Sequence, residues 1–448
     1  MAESTDISDL QDSVLDNTLE AISIVQRGNL KTLEKTLRKQ WRLGQNIVLC
    51  WSADERGLLV ILVPHYFLGN YCAMEASGEA DDNEHFVRDL ISGERRKSRE
   101  ELFAVAERLD ISPTFIKLSS ALAEDEQVLE AVEELIRRYG LSFVETRAVL
   151  LFDIASFSLF TPFEQASQLN SLSYSLNSAY NKLQARGIEI NFARTTTGDG
   201  YYVWNRDLAP FSCQDLFLFM LLVVADNASA RAASRGNTVP VIRTAFHIGS
   251  HYELYQAEGV NPTVFSYIVG DVTIELARMV DLAQPHQILV GDFECTLPGR
   301  ERGGAPLPIK VDSAAYVRSC DRELERLVGT QLSSRPISTM TCYLTAGDDA
   351  GSEAEPRRFL ITDKHGLTRY AYNLQVDIDL DGQPLILGLD PNQLPGRVAE
   401  GDAAVQPQAH DADVTGGEED SRAQTAEALF DDLASMLRKR QAKSITED

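Results

Sequence analysis

Apolar and polar positions along this chain follow two different periods, which separate predicted helices from predicted strands. In segment 128–139 apolar residues recur every three or four positions, which predicts an amphipathic helix that Gly140 can end. A continuous apolar run at 148–152 predicts a buried strand. Residues 161–164 then combine a capping box with proline at the first helical position. The pattern therefore predicts a helix, a strand and a second helix in this order.

The same analysis predicts the elements that follow. Two strands, 188–195 and 201–204, form a hairpin, and a long helix runs from 213 to about 234. The remaining predicted elements are a strand at 241–246 with a partner at 252–255, a helix at 270–283 and a short strand at 287–290. The order predicts an α+β fold in which an antiparallel sheet carries helices on one face, with a βαββαβ core and additions.

Patterning and composition divide the 448 residues into five predicted regions. These are a mainly helical regulatory region at 1–145, the central domain at 146–295, a linker and β-rich region at 296–395, an acidic disordered linker at 396–421 and an amphipathic helix at 422–448. The β-rich region, with strands near 338–346, 358–362, 370–378 and 385–389 and a turn at 363–366, is either a small module or an extension of the central sheet. The last helix is predicted to dock onto this protein or onto a protein partner.

Charge and cysteine usage exclude several classes of function. The chain has 67 acidic and 42 basic residues and a formal charge of −25, so its surface repels nucleic acids. The acidic N-terminus does not resemble a signal peptide, and the apolar runs at 57–68 and 216–225 are too short to span a bilayer. The six cysteines show no zinc-type spacing, which favours free thiols. We therefore expect a cytoplasmic protein without a membrane span.

Two aspartates carry the candidate chemistry. Asp153 ends the buried strand at 148–152, and Asp199 lies between two glycines at the tip of the hairpin. Carboxylates from a strand end and a hairpin tip can converge on a hard cation such as Mg²⁺, an arrangement typical of phosphoryl transfer. Each aspartate also has a structural interpretation, as a turn cap or as part of a common hairpin turn. His247 and Arg243 are predicted to be structural.

Four sequence blocks resemble the catalytic domain of class III nucleotidyl cyclases. In order, they read FDIASFS, TTTGDGYYVW, IRTAFHIGSHYE and VGDVTIELARMVDLAQPHQILVG, all within residues 146–295. The resemblance implies a ferredoxin-like βαββαβ cyclase core that acts on a nucleoside triphosphate with two Mg²⁺ or Mn²⁺ ions per site. Asp153 and Asp199 match the metal-binding aspartates of the family, and the Ile154 carbonyl matches a further ligand. The implied products are a 3′,5′-cyclic nucleotide and pyrophosphate.

The resemblance also implies roles for a loop and an arginine. The backbone amides of Ala155, Ser156, Phe157 and Ser158 match the amides that hold phosphate oxygens in the family. Arg278 matches the arginine that reaches the partner subunit's active site and stabilises the transition state, which implies a homodimer. From the residues alone, Arg278 is equally well explained as a surface ion-pair residue.

Three positions depart from the family pattern. Ile274 stands where the family has an asparagine that orients the ribose, and it has no hydrogen-bonding side chain. Thr195 and Tyr267 stand where adenylate cyclases carry their base-reading lysine and its partner, and they do not match guanylate cyclases either. The sequence therefore does not decide whether the base of the substrate is adenine, guanine or a pyrimidine. Two alternatives to an enzyme remain: a degenerate nucleotide-binding module and a dimerisation or interaction protein.

Overall fold

In the computed structural model of the chain, the described residues are 22–42, 44–73, 80–207, 209–258, 263–298, 308–345, 356–362 and 368–390. The predicted turn at 363–366, the acidic linker at 396–421 and the final helix at 422–448 lie outside the described residues. These three features, and the partner of the final helix, stay predictions.

The N-terminal region combines helices with a small antiparallel sheet. Its elements are α1 (Ile24–Trp41), β1 (Asn46–Asp54), β2 (Gly57–Pro64), α2 (Phe67–Cys72), α3 (Ala80–Ser92), α4 (Arg99–Arg108), β3 (Thr114–Lys117) and α5 (Glu126–Arg138). The three strands pair in the order β1-β2-β3, so the region predicted as mainly helical also contains a sheet. Asp125 caps α5 by accepting a hydrogen bond from the Gln127 amide, and the apolar side of α5 packs in the core of this region.

The central domain has the predicted βαββαβ core. Its elements are β4 (Leu141–Ile154), α6 (Pro162–Gln184), β5 (Phe192–Thr196), β6 (Gly200–Asn205), α7 (Ser212–Ala233) and β7 (Ile242–Glu258). The strands pair in the order β7-β4-β6-β5, and each pair is antiparallel, which is the ferredoxin-like arrangement. The predicted capping box at the start of α6 is present, with Thr161 and Glu164 bonded reciprocally. Both helices of this core pack on one face of the sheet, as predicted.

Three further elements complete the central domain: β8 (Thr263–Val269), α8 (Asp271–Leu282) and β9 (Ile288–Gly291). Helix α8 packs on the face of the sheet opposite to α6 and α7, against Val149 and Leu151 of β4. The prediction that the helices lie on one face is therefore wrong for α8, because alternate residues of β4 are apolar on both faces. The two short strands predicted at 241–246 and 252–255 are one continuous strand, β7, and its second half pairs with β8. The polar residues Gly249, Ser250 and His251 interrupt the apolar pattern, which is why the sequence indicated a break there.

The C-terminal region extends the central sheet. Its elements are β10 (Glu294–Pro298), β11 (Pro308–Asp312), α9 (Ser313–Asp321), β12 (Gln331–Leu332), β13 (Arg335–Leu344), β14 (Arg358–Thr362), β15 (Thr368–Leu380) and β16 (Gln383–Leu387). Strand β15 pairs with β9, so β12 to β16 belong to one 11-stranded sheet with the central domain, whereas β10 and β11 form a separate two-stranded sheet. Helix α9 lies in the stretch expected to be linker, yet Tyr316 and Cys320 are buried in the same core as α7. Of the two alternatives, the sheet extension is the observed one.

Helix α7 is the one helix among the described residues that is long and apolar enough to cross a membrane, by length and composition alone. In the structure 61% of its most apolar window is buried inside the protein. Phe217 and Phe219 are fully buried, and Phe217 packs edge-on against Phe246 of β7. The apolar composition of α7 is thus accounted for by its place between the sheet and α9.

A buried ionic network crosses the sheet on the α8 side. Glu253 of β7 accepts hydrogen bonds from Arg147 of β4 at 2.8 Å and from the Trp204 indole at 3.2 Å. Arg206 lies 3.7 Å from the same carboxylate and donates to the Ser266 hydroxyl of β8 at 2.7 Å. Burial alone raises the pKa of Glu253, but these cations outweigh burial, so its pKa is lowered and the carboxylate is ionised. The network therefore joins β4, β6, β7 and β8 through one negative charge.

Candidate active site

Asp153 lies at the carboxyl end of β4, at the centre of the sheet. It stands opposite Gly200 of β6 on one side and Arg243 of β7 on the other. Because side chains alternate along a strand, Asp153 shares the α8 side of the sheet with Val149 and Leu151, whereas Phe152 and Ile154 face α6 and α7. Its exposed fraction is only 8%.

Asp199 is held beside Asp153 by the hairpin of β5 and β6. The Ile154 amide donates to the Asp199 carbonyl at 2.9 Å, which joins the end of β4 to the hairpin tip. Gly198 has a φ of +102°, a left-handed conformation that glycine tolerates, and its amide donates to the Thr196 hydroxyl. The Thr197 hydroxyl donates to the Asp199 carboxylate at 3.4 Å. The structure thus brings together the two aspartates that the sequence analysis paired.

The two carboxylates interact electrostatically. Burial raises the pKa of Asp153 from 3.8 to about 6, Arg243 opposes that shift, and the nearby charges of Asp199 and Asp281 add to it. An aspartate with a raised pKa beside a second carboxylate carries negative charge that the protein compensates only in part. Such a pair is a common feature of functional sites.

Arg243 belongs to the site, although the sequence analysis had assigned it a structural role. Its Nε donates to Asp153 Oδ2 at 2.8 Å, and its Nη2 donates to the same oxygen. The two residues lie 90 positions apart in the chain and meet only because β4 and β7 pair in this register. A guanidinium beside the loop that follows β4 is well placed to bind a phosphate oxygen. His247, on the same strand, is buried against Phe293 as predicted, and burial lowers its pKa to about 4.

The donor set fits a hard divalent cation in part. Within the described ranges, no three His, Cys, Asp or Glu side chains converge as a complete metal site. The two aspartates do offer carboxylate oxygens, and Mg²⁺ typically uses one or two protein carboxylates together with water and substrate phosphates. The raised pKa of Asp153 also shows that an additional positive charge would be favourable there. Asp153 and Asp199 are therefore the residues that would hold the ion.

The loop after β4 has the tight conformation expected of a phosphate-binding turn. Ser156 adopts a left-handed φ of 58°, and a short 3-10 helix follows at Phe157–Leu159. The Ala155 amide, however, donates to the Val241 carbonyl at 2.9 Å, so it is already used within the chain. Of the four backbone amides predicted to hold phosphate oxygens, those of Ser156, Phe157 and Ser158 remain as candidates.

Helix α8 presents Ile274 and Arg278 one turn apart on its outer side. The exposed fraction of Ile274 is 47%, and Arg278 pairs with Asp281 at 3.3 Å. The Thr273 carbonyl accepts a hydrogen bond from the Tyr202 hydroxyl, which fixes the start of α8 to β6. Neither Ile274 nor Arg278 contacts the aspartate pair in the way that Arg243 does. Their outward position leaves both residues accessible to a second molecule.

The two predicted base-reading positions fall on different sides of the sheet. Thr195 of β5 stands opposite Tyr202, on the side where Trp204 contacts Glu253. Tyr267 of β8 stands opposite Leu254, whereas its neighbour Ser266 shares the side of the Glu253 network. The register thus adds no support for Thr195 and Tyr267 as a pair, and base selection by these residues stays a prediction.

Comparison with known proteins finds nucleotide cyclase domains among the structures similar to this chain. No protein-family profile and no curated protein sequence matches it. Solved structures do match, and adenylyl and guanylyl cyclase catalytic domains are among them. The guanylate cyclase domain from Catenaria anguillulae in complex with GTP is 15% identical, with 38% of this chain and 98% of that chain covered and a TM-score of 0.26. The adenylyl cyclase from P. aeruginosa is 13% identical, with 38% and 94% covered and a TM-score of 0.24.

A third match is the monomeric guanylyl cyclase domain from Blastocladiella emersonii, which is 17% identical, with 35% of this chain and 92% of that chain covered and a TM-score of 0.26. At these identities and TM-scores the matches report similarity and carry no argument about activity. The strand order and the contacts of Asp153, Asp199 and Arg243 are therefore the features that support a function.

Replacing Gly200 with alanine is expected to destabilise the site. A Cβ atom at this position would lie 1.9 Å from the Phe152 carbonyl oxygen and 3.0 Å from the Asp153 Cα, so β4 and β6 must move apart. We expect a loss of about 2 kcal/mol in the free energy of unfolding, measured by urea denaturation. Gly93→Ala is the control, because its Cβ meets nothing within 4 Å and its φ is not positive. Equal losses at both positions would contradict the steric explanation.

Proposed function

We propose that the central domain is a nucleotide cyclase that converts a nucleoside triphosphate into a 3′,5′-cyclic nucleotide and pyrophosphate. The observation that carries the proposal is the convergence of Asp153 and Asp199, held by β4 and the β5–β6 hairpin, with Arg243 beside them. The four sequence blocks that resemble class III cyclases fall on this same strand order. These residues do not determine which nucleotide base the domain recognises.

In the proposed reaction the protein binds and orients the triphosphate. Asp153 and Asp199 would hold Mg²⁺ or Mn²⁺, which supplies the charge that lowers the pKa of the ribose 3′-hydroxyl and neutralises phosphate. The 3′-oxygen attacks the α-phosphorus, the bond to the pyrophosphate oxygen breaks and the hydroxyl proton passes to solvent. The amides of Ser156 to Ser158 orient phosphate oxygens. Arg243, which donates to Asp153 in the structure, would be within reach of a phosphate oxygen of the bound triphosphate.

We further propose that two copies form the active unit, through the side that carries α8. Arg278 lies on the outer side of α8, where it can reach the aspartate pair of a second copy and stabilise charge on the reacting phosphate. We place this activity in the cytoplasm. The N-terminal region, whose α5 ends two residues before β4 begins, is proposed to regulate it.

One observation favours a second candidate function, a nucleotide-binding module without turnover. Ile274 lies exposed at the position where the cyclase family orients the ribose, and its side chain cannot donate or accept a hydrogen bond. A ribose held loosely lowers the population of reactive geometries. In this case the domain binds metal and nucleotide and forms no product.

Mn²⁺ titration by calorimetry in the presence of a nucleoside triphosphate tests the shared part of both candidates. We expect Asp153→Asn and Asp199→Asn each to weaken Mn²⁺ binding by at least about tenfold. Removing a group that only orients a metal ligand already costs about tenfold in metal affinity, and removing the ligand itself should cost no less. We expect the double variant to lose little more than either single variant, because both residues serve one site. Mn²⁺ affinity that both variants retain would exclude a metal site at this aspartate pair.

Metal affinity is expected to depend on pH through Asp153. Its pKa of about 6 means that a proton occupies the carboxylate at lower pH, and a metal ion must displace this proton. Mn²⁺ affinity should fall about tenfold per pH unit below pH 6 and level off above pH 7. Because Arg243 lowers the pKa of Asp153, the Arg243→Gln variant should shift the profile to higher pH. A flat profile between pH 5 and 7 would contradict this assignment.

A further inference from the structure

Helix α6 carries two aromatic side chains in an exposed position on its outer side. The exposed fractions are 77% for Phe163 and 72% for Tyr174, among the highest of the large apolar residues described. The two residues are about three helical turns apart and therefore share one side of the helix. Large aromatic residues in such a position commonly mark an interaction surface.

The side of α6 that carries the two aromatics has no charged residue. We define the α6 stripe as Phe163, Ser167, Asn170, Tyr174 and Asn177, which follow one another at helical spacing. The α6 stripe extends over about four turns without a charged side chain, on a chain whose net charge is −25.

The charged residues of α6 point away from the stripe and are engaged elsewhere. Glu164 caps the helix and accepts a hydrogen bond from Asn237 at 3.0 Å. Lys182 pairs with Asp226 of α7. The α6 stripe is therefore neutral because its own side chains carry no charge, and not because neighbouring charges cancel.

We propose that the α6 stripe is a contact surface for a second copy of this chain, with the two α6 helices antiparallel. A two-fold pairing places Phe163 of one copy against Tyr174 of the other, twice, with the symmetry axis between positions 168 and 169. Ser167 and Asn170 lie near the axis, and their small side chains let the helices approach closely. Two copies that both carry a charge of −25 repel each other, so a neutral surface is where they can meet.

The size of the stripe predicts a weak contact. A helix of 23 residues is about 35 Å long, and a strip about 10 Å wide buries about 350 Å² per copy, against about 800 Å² in a standard interface. The contact lies on the side of the sheet opposite to α8. If two copies also associate through α8, as the proposed function requires, both contacts together can build larger assemblies. The α6 contact itself does not depend on the proposed function.

Cysteine crosslinking of the full chain tests the proposal. Asn170→Cys places a thiol within one turn of the axis, and Asn181→Cys places one on the same exposed side more than two turns away. With a short bismaleimide we expect a covalent dimer linked through position 170, identified by mass spectrometry, and no corresponding product through position 181. The unmodified chain controls for its six natural cysteines, which are unpaired.

Tyr174→Glu in the Asn170→Cys background is expected to reduce the crosslinked dimer about tenfold, because it removes both aromatic contacts and brings two negative charges to the interface. Its thermal unfolding should match that of the parent, since Tyr174 is exposed. Equal crosslinking at positions 170 and 181, no crosslinking at either, or no effect of Tyr174→Glu would each overturn the proposal.

Discussion

Replacing Asp153 with asparagine is expected to reduce cyclic nucleotide formation by at least about 100-fold at saturating Mn²⁺. Asparagine keeps the size of the side chain and removes the charge that would hold the metal ion. It also removes repulsion with Asp199, so the fold should not lose much stability despite the loss of the Arg243 ion pair. Product formation measured by mass spectrometry, together with thermal unfolding, separates the chemical role from a structural one.

Asp215→Asn is the matched control for this experiment. Asp215 is also an aspartate whose pKa burial raises, and it also pairs with an arginine, Arg326 at 3.1 Å, but it lies at the start of α7. We expect this variant to retain activity within about twofold of the unmodified chain. Equal losses of activity in Asp153→Asn and Asp215→Asn would show that the effect is one of folding and would contradict a metal site.

The Glu253→Ala variant is expected to lose about 3–5 kcal/mol in the free energy of unfolding. Removing the carboxylate leaves the Arg147 guanidinium without its counter-charge in a buried position, and it leaves the Trp204 indole without an acceptor. Arg206 loses the same negative charge while it still contacts Ser266. Urea denaturation followed by tryptophan fluorescence measures the change.

An exposed ion pair provides the comparison for Glu253. Glu134 pairs with Arg138 within α5 at 3.2 Å, and 52% of the Glu134 side chain is exposed. Glu134→Ala is therefore expected to cost less than about 0.5 kcal/mol. If Glu253→Ala costs no more than Glu134→Ala, the network does not hold the four strands together.

Much of the central domain could be predicted because its elements carry strong local signals. The apolar run of β4 and the capping box of α6 are decided by neighbouring residues, and the structure has both. The pairing of Asp153 with Asp199 could be predicted for the same reason, since each aspartate is adjacent to such an element. The resemblance to cyclases is in agreement with the strand order, which the structure shows independently.

Other features depend on contacts between distant residues, which one sequence does not contain. Arg243 is a neighbour of Asp153 only through the register of β4 and β7. The second half of β7 carries His251 and Glu253, which are polar and nevertheless buried, because the ionic network satisfies the glutamate. The break predicted inside β7 falls at residues 249–251, which lack the apolar alternation of a strand, and β8 was missed.

Product analysis with four nucleoside triphosphates distinguishes catalysis by the central domain from binding alone. The purified full chain is incubated with ATP, GTP, CTP and UTP in turn, with Mn²⁺, and the products are identified by mass spectrometry beside the Asp153→Asn variant. We expect a 3′,5′-cyclic nucleotide and pyrophosphate from at least one triphosphate, and neither product from the variant. Metal and nucleotide binding without product from any of the four triphosphates would contradict catalysis and leave a binding module.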